Sequence, residues 1–233
     1  MYRIPYETCA LDGDFHIRPE EYRRLNGGVI FPNPHAPTGV YEPLALVEEI
    51  VQANRDVVVI VDEAYIDFGG ESALPLIQKY DNLLVVQTFS KSRAMAGLRV
   101  GFAMGSEKLI KYLSDAKFSF NSYTMNRPTL ALGIEALKDK AYFEGITGRI
   151  VATRERTKGE LRELGFTFPD SMANFIFASH ERIPAKEIFR ALKERDIYVR
   201  YWDKPRIDNF LRITVGTDAE MDTLLAFLKE FIK

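Results

Sequence analysis

A run of apolar residues from Val57 to Val61 passes directly into a carboxylate, and this feature constrains the fold more than any other. Every residue of the run is β-branched, which favours a strand, and an uninterrupted apolar strand needs cover on both faces of its sheet. Such cover is typical of parallel sheets packed between helices. Asp62 follows at once, and a carboxylate there is costly to desolvate unless another polar group meets it. The run therefore predicts a central strand with a polar site at its carboxyl end.

The first half of the chain alternates strands with helices, which favours an α/β fold with a mostly parallel sheet and covering helices. Strands are predicted at 28–31, 57–61, 83–87 and 100–104, and helices at 43–54 and 73–80.

The second half has a different pattern and predicts a smaller α+β domain. Helices are expected at 127–137 and 141–164, and the second resembles a long, partly exposed connecting helix. Short strands follow at 174–178, 198–201 and 210–214, with helices at 184–195 and at the end of the chain. We place the boundary near residue 137, so that 1–137 form the large domain and 138–233 the connecting helix and small domain.

Composition limits the partners. The 31 basic and 33 acidic residues nearly balance, which argues against nucleic acid as a ligand. No apolar run is long enough to span a bilayer, no leader opens the chain, and the single cysteine fits a reducing compartment. Dinucleotide and P-loop glycine patterns are absent, and no metal-ligand cluster stands out. We expect a cytoplasmic protein that acts on small molecules, without membrane, nucleic acid or metal.

Polar side chains cluster at the ends of three successive predicted strands. The segments are 33–39, 62–65 and 88–91. Ligands of open α/β sheets bind at the carboxyl ends of the strands, so these segments are expected to converge. An ion pair between Asp62 and Lys91 at the rim of the sheet is the structural alternative.

The segment from Thr88 to Gly101 resembles the lysine motif of fold-type I pyridoxal-phosphate-dependent aminotransferases. In that motif a serine precedes the cofactor lysine, and an arginine eight residues later meets the cofactor phosphate. Asp-Glu-Ala-Tyr at 62–65 and Pro-Thr-Gly at 37–39 precede it in the family's order. The segment Asn209–Gly216 is similar to the histidinol-phosphate aminotransferase branch. The resemblance covers essentially the whole chain and implies an aminotransferase-type sheet.

The resemblance assigns a role to each matching residue. Lys91 would bind pyridoxal 5'-phosphate covalently and carry the proton, Asp62 would pair with the pyridine nitrogen, and Tyr65 would donate to the phenolic oxygen. The cofactor phosphate would be held by Thr88, Ser90 and Arg99. On the substrate side, Arg212 would receive a carboxylate, Arg200 a second anionic group, and Asn174 would face the substrate. Glu63 is expected to be a structural salt-bridge partner, and Trp202 to pack within the small domain.

The implied reaction is transamination between an amino acid, of the histidinol phosphate and glutamate type, and a 2-oxo acid. An aromatic amino-acid aminotransferase and a decarboxylase with the same lysine motif are alternatives. By analogy the active unit is a homodimer.

Two departures from the family pattern stand out. The asparagine expected before Pro37 is replaced by Ala36, which leaves Asn33 or His35 as substitutes. The chain also starts where a full-length member would already have its first strands, its phosphate loop and the aromatic residue that stacks on the cofactor. We therefore expect weak or absent cofactor binding, and self-association through an uncovered sheet edge and apolar face. A truncated, inactive remnant is the alternative to a working enzyme.

Overall fold

The structure, a computed structural model, describes residues 3–233 and contains two four-stranded sheets. The strands are β1 Val29–Pro32, β2 Val59–Asp62, β3 Leu83–Thr88, β4 Gly101–Gly105, β5 Phe166–Thr167, β6 Phe175–His180, β7 Arg200–Tyr201 and β8 Leu211–Thr214. The α-helices are α1 Leu44–Ala53, α2 Glu107–Phe120, α3 Arg127–Lys138, α4 Lys140–Glu163, α5 Ala185–Lys193 and α6 Asp218–Phe231.

The first sheet has the order β1-β2-β3-β4, and its first three strands are parallel. In this register Pro32, Asp62 and Val86 stand side by side, so the three carboxyl ends meet at one edge. The fourth strand is antiparallel to β3. The predicted α/β class with a mostly parallel sheet is confirmed, and the three polar strand ends converge as expected.

The first sheet has one well-packed face. Val59 and Val61 of β2 are fully buried against α1, where Val47 and Ile50 are also fully buried. On the opposite face, Ile30 of β1 is 69% exposed. Helices α2 and α3 also carry large apolar side chains that are exposed: Tyr112, Leu113, Phe118, Phe120, Leu130, Leu132, Ile134 and Leu137. So many exposed large apolar side chains on two neighbouring helices are unusual for an isolated domain.

The second sheet is antiparallel throughout, in the order β5-β6-β8-β7. Its core is built with α5 and α6, and α6 begins in a capping box between Thr217 and Glu220. This arrangement agrees with the predicted smaller α+β part.

Helix α4 connects the two sheets through a buried guanidinium. Arg154 is 3% exposed, and its Nη1 donates to the carbonyl of Phe68 at 2.8 Å and to that of Ala173 at 2.9 Å. Phe68 follows β2, and Ala173 precedes β6. The expected connecting helix is present, with an inner face that is buried. The domain boundary near residue 137 stays a prediction.

Three local elements differ from expectation. Helix α2 was not predicted, although Ser106 caps it by accepting from the amide of Leu109. The predicted helix at 73–80 is a 3-10 helix at Leu74–Gln78, and β5 was missed because two residues carry no strand pattern. Within residues 3–233, no helix has both the length and the apolarity that a bilayer span requires.

Candidate active site

The centre of the candidate site is the carboxylate of Asp62 at the end of β2. Its Oδ1 accepts a hydrogen bond from the amide of Ala64 at 3.0 Å, which turns the chain sharply away from the sheet. Lys91 is not within the 4.0 Å of an ion pair with this carboxylate, nor is any other cation of residues 3–233. The structural alternative of a rim ion pair therefore does not describe this site, and the half-buried carboxylate keeps acceptor capacity.

Two hydroxyl groups meet where β3 ends. The hydroxyl oxygens of Thr88 and Ser90 lie 3.0 Å apart, and the amide of Ser90 donates to Thr88 Oγ1 at 3.1 Å. The Thr88 hydroxyl lies 3.1 Å from the carbonyl oxygen of Val100, at the start of β4. These contacts fix both hydroxyls at the same edge of the sheet as Asp62.

Lys91 is exposed, and its Nζ lies 5.3 Å from the centre of the Tyr65 ring. Tyr65 also contacts the second sheet, because its ring meets that of Phe175 edge to face at 5.1 Å. The structure thus brings together the lysine and the tyrosine that the sequence assigned to one site.

The residues after Lys91 anchor its loop, and the sequence analysis did not identify them. Ser92 is 3% exposed and donates its hydroxyl to the carboxylate of Asp67. Arg93 donates to the carbonyl of Ala136 at 2.6 Å and stacks over the ring of Phe143 at 4.2 Å. Their positions directly after Lys91 could have identified them, because a side chain on a loop is held in place only if neighbouring residues anchor the loop.

Arg99 stands at a constrained turn with its side chain exposed. Its backbone is left-handed, with φ of 56°, and its Nη1 donates to the carbonyl of Ala96 at 2.9 Å. A non-glycine residue in this region is held there by its surroundings. The exposed guanidinium provides further donors to an anion.

The turn after β1 is a compact unit in which His35 and Asn33 have structural contacts. His35 Nδ1 lies 2.8 Å from the hydroxyl of Thr38, and burial lowers the pKa of His35 to about 4. Gly39 has φ of 80°, and a Cβ there would stand 2.3 Å from the Ser171 hydroxyl oxygen, so this turn packs against the second half of the chain. Asn33 is 1% exposed and exchanges two hydrogen bonds with the backbone of Glu42. The Asn33 side chain is therefore bonded to the backbone of Glu42, and the suggestion that Asn33 or His35 contacts a cofactor stays a prediction.

Glu63 was expected to form a salt bridge, and this was wrong. The carboxylate is 2% exposed and accepts from three uncharged donors: the Ser72 hydroxyl, the Gln87 side-chain amide and the backbone amide of Ala73. Burial raises the pKa of Glu63, against the lowering effect of these hydrogen bonds. Glu63 thus ties β2 to β3 and to the following loop.

The predicted substrate arginines lie on adjacent strands of the second sheet. Arg200 of β7 stands directly opposite Arg212 of β8. Their guanidinium carbons lie 5.2 Å and 5.5 Å from the ring of Trp202, and that of Arg212 also lies 5.2 Å from the ring of Phe175. Trp202 also packs against the cluster of Phe15, Val40 and Phe177. Because Phe15 and Val40 come from the first half of the chain, Trp202 does not pack within the small domain alone, as was expected.

A continuous series of contacts joins the two predicted parts of the site. It runs from Lys91 through Tyr65, Phe175 and Arg212 to Trp202. Asn174 directly precedes Phe175 and is half-buried, and its carbonyl accepts from the amide of Val215. The rings of Tyr65 and Phe175 thus lie between the amine of Lys91 and the guanidinium of Arg212.

The site is an open edge and not an enclosed cavity. The two main cavities, of about 440 Å³ and 250 Å³, are lined by other residues; the larger lies between Tyr41 and the 167–172 segment. The strand-end site is favoured over both cavities because its polar groups converge at the carboxyl ends of parallel strands, where such sheets bind ligands. Among residues 3–233, no three His, Cys, Asp or Glu side chains are grouped as metal ligands.

Comparison with known proteins gives a consistent result. The family described as Aminotransferase class I and II matches residues 1–228. Histidinol-phosphate aminotransferase of Lactococcus lactis subsp. cremoris (strain SK11) is 49% identical over 233 residues, which cover 100% of this chain and 65% of that protein. The chain thus spans about 65% of the length of such curated relatives.

Two solved structures share the fold. The histidinol-phosphate aminotransferase from Clostridium acetobutylicum superposes with a TM-score of 0.81 at 26% identity, over 88% of this chain and 64% of that one. The enzyme of the same name from Sinorhizobium meliloti, in complex with pyridoxal-5'-phosphate, gives a TM-score of 0.76 at 27% identity, over 88% of this chain and 57% of that one.

Proposed function

This chain belongs to the aminotransferase class I and II family, and we propose that it carries the lysine-bearing part of an enzyme that transfers an amino group between an amino acid and a 2-oxo acid. The observation that carries this proposal is the meeting of Lys91, Tyr65 and Asp62 with the Thr88 and Ser90 hydroxyls at one edge of the sheet. The relatives' name points to histidinol phosphate as one substrate.

The donor set fits pyridoxal phosphate. Lys91 offers an exposed amine for covalent attachment, and Asp62 offers a carboxylate without a cation partner for a protonated ring nitrogen. Thr88, Ser90 and the exposed Arg99 offer hydroxyl and guanidinium donors to a phosphate. When bound, the cofactor supplies an electron sink for the electron pair left at the substrate α-carbon.

The protein's own groups would carry the proton and orient the substrate. The Lys91 amine, once free, can take a proton from the substrate α-carbon and return it elsewhere, since a lysine amine is both nucleophile and base. Tyr65 is fixed by Phe175, so its hydroxyl has a defined direction beside that amine. The Arg200 and Arg212 pair would receive the anionic groups of the substrate.

The second candidate is a remnant that binds no cofactor, and the solvent exposure of Lys91 and Arg99 favours it. Lys91 and Arg99 are exposed, and neither main cavity includes them, so solvent reaches the groups that would hold the cofactor. In either case we propose a homodimer, because the exposed apolar residues of β1, α2 and α3 favour association with a second copy.

Cofactor titration followed by chemical trapping tests the proposal. After addition of pyridoxal phosphate we expect an absorbance band of protein-bound cofactor, and after borohydride reduction we expect peptide mapping to place the label on Lys91. Lys91→Ala should lose both signals, whereas Lys108→Ala, at an exposed lysine of α2, should keep them. Label on another lysine with Lys91 unmodified would refute the assignment, and no band at all would favour the remnant.

A further inference from the structure

Arg200 and Arg212 form a pair of like charges that the sheet alone does not stabilise. They stand directly opposite each other on β7 and β8, where like charges are destabilising. Neither takes part in an ion pair with a carboxylate of residues 3–233. Some other feature must therefore hold the two guanidinium groups in place.

Trp202 is that feature. Both guanidinium groups lie over its indole ring, at 5.2 Å for Arg200 and 5.5 Å for Arg212. Tryptophan has the strongest cation–π attraction among the aromatic side chains, and one ring here serves two cations. The ring itself packs against the cluster of Phe15, Val40 and Phe177.

The Arg212 side chain also shows where a ligand is needed. Its Nε is buried and has no hydrogen-bond partner, an exception to the rule that buried donors are satisfied. Phe175 and Trp202 both lie against the guanidinium, at 5.2 Å and 5.5 Å, and this limits its freedom to rotate toward solvent. A buried charged donor beside a second cation matches an anion that accepts from both.

We propose that Trp202 is a positioning residue that holds Arg200 and Arg212 together as one receptor for a doubly charged oxyanion. This rests on the proposed function, which gives the two arginines to the substrate, and adds how the pair is maintained. A phosphate group of a substrate is the chemistry that suits two adjacent guanidinium forks, because it offers several acceptor oxygens and about two negative charges.

Trp202 is the only tryptophan of the chain, so its fluorescence reports on this site directly. In cofactor-free protein we expect inorganic phosphate to change the emission saturably at constant ionic strength, while chloride does not. Arg200→Ala and Arg212→Ala should each remove the response. Arg195→Ala, an exposed arginine after α5, and Arg99→Ala, at the cofactor end, should keep it. A wild-type response no different from that of chloride would overturn the proposal.

Two substitutions of Trp202 separate positioning from simple packing. Trp202→Phe keeps an aromatic face, and Trp202→Leu keeps only apolar bulk. Both are titrated calorimetrically with phosphate in protein that also carries Arg99→Ala, so that phosphate does not bind at the cofactor end. We expect Phe to keep the affinity within about threefold and Leu to lose about tenfold, in line with the size of cation–π attraction. Thermal unfolding shows whether each variant is folded. If folded Trp202→Leu binds phosphate as tightly as Trp202→Phe, the positioning role is wrong.

The result is independent of cofactor binding. Failure of the pyridoxal phosphate titration would refute the transaminase proposal while leaving the phosphate response intact. Absence of the phosphate response with normal cofactor binding would refute the receptor of Arg200, Arg212 and Trp202 and leave the transaminase proposal standing.

Discussion

The Nζ of Lys91 lies 5.3 Å from the centre of the Tyr65 ring, although the two residues follow different strands of the sheet. The contact exists because β2 and β3 are parallel and in register, which brings the turns after Asp62 and Thr88 to one edge. Tyr65 is in turn fixed by Phe175 at 5.1 Å. The position of Lys91 is therefore coupled to the second sheet through the Tyr65 ring.

This coupling predicts different results for two substitutions of Tyr65. Tyr65→Phe keeps the ring and should change the free energy of unfolding by less than about 0.5 kcal/mol, because only a hydroxyl is lost. Tyr65→Ala removes the edge-to-face contact with Phe175 and should cost about 2 kcal/mol. Urea unfolding measures both, and equal losses would show that the ring has no packing role.

Asp62 and Arg99 are expected to act on opposite ends of the cofactor. Arg99→Ala should weaken the binding of pyridoxal phosphate by about ten- to a hundredfold, since a charge-assisted hydrogen bond contributes about 1.5–3 kcal/mol. Asp62→Asn should mainly lower the rate of the reaction on the bound cofactor, because it removes the negative charge opposite the ring nitrogen. Absorbance titration and single-turnover kinetics distinguish the two effects. Unchanged affinity in Arg99→Ala would exclude the phosphate role.

The buried guanidinium of Arg154 makes a prediction about stability alone. Arg154→Met should lower the free energy of unfolding by about 3 kcal/mol, because the carbonyls of Phe68 and Ala173 lose a charged donor. Arg149→Met, at an exposed position of the same helix, should stay within about 0.5 kcal/mol. Chemical denaturation of the two variants provides the measurement. A similar loss in both would mean that the effect belongs to the helix and not to the buried bonds.

How far the sequence predicts this site depends on the range of the contacts involved. The strand ends at Asp62 and Thr88 follow from local β-branched runs, and their meeting follows from parallel pairing. The contact of Tyr65 with Phe175 arises only when the two sheets pack together, and that of Arg212 with Trp202 depends on the pairing of β7 with β8. Neither contact can be predicted from the spacing of these residues in the sequence. Asn33 shows the reverse case, in which a polar residue at a strand end is used entirely by the nearby backbone of Glu42.

His35 gives the turn after β1 a defined pH dependence. Its pKa in the folded protein is lowered to about 4 from an ordinary value near 6.5, since burial disfavours the charged imidazolium. The unfolded chain therefore binds the proton first, and His35 contributes stability that is complete above pH 6.5 and is lost as the pH falls toward 4. Each pH unit within this window can cost at most about 1.4 kcal/mol.

The measurement is the free energy of unfolding between pH 7 and pH 4 for wild type and His35→Gln. The variant should lose less stability over this range, because no imidazole remains to be protonated. His16→Gln, at an exposed histidine, should leave the contribution of His35 in place. Parallel curves for wild type and His35→Gln would show that the turn tolerates the charge.

The open edge of the first sheet is expected to associate with a second copy of the chain. Strand β1 pairs only with β2 among the described strands, so its outer edge presents free backbone groups, and Ile30 beside it is 69% exposed. An open edge next to an apolar surface favours pairing with another chain. At low micromolar concentration we expect sedimentation velocity to show a dimer or a larger species. Ile30→Lys should shift it toward monomer because a charge on this surface cannot be buried cheaply.

Tyr198→Lys serves as the matched control, because Tyr198 is 74% exposed but precedes β7 on the other sheet. If both variants dissociate the protein alike, the contact is not specific to the first sheet. The same experiment is repeated with pyridoxal phosphate. Because Lys91 is exposed to solvent, we expect weak or absent binding of the cofactor. A stable monomer that carries a full complement of cofactor would contradict both expectations, because it would show that the exposed surface needs no partner and that the open edge alone retains the ring.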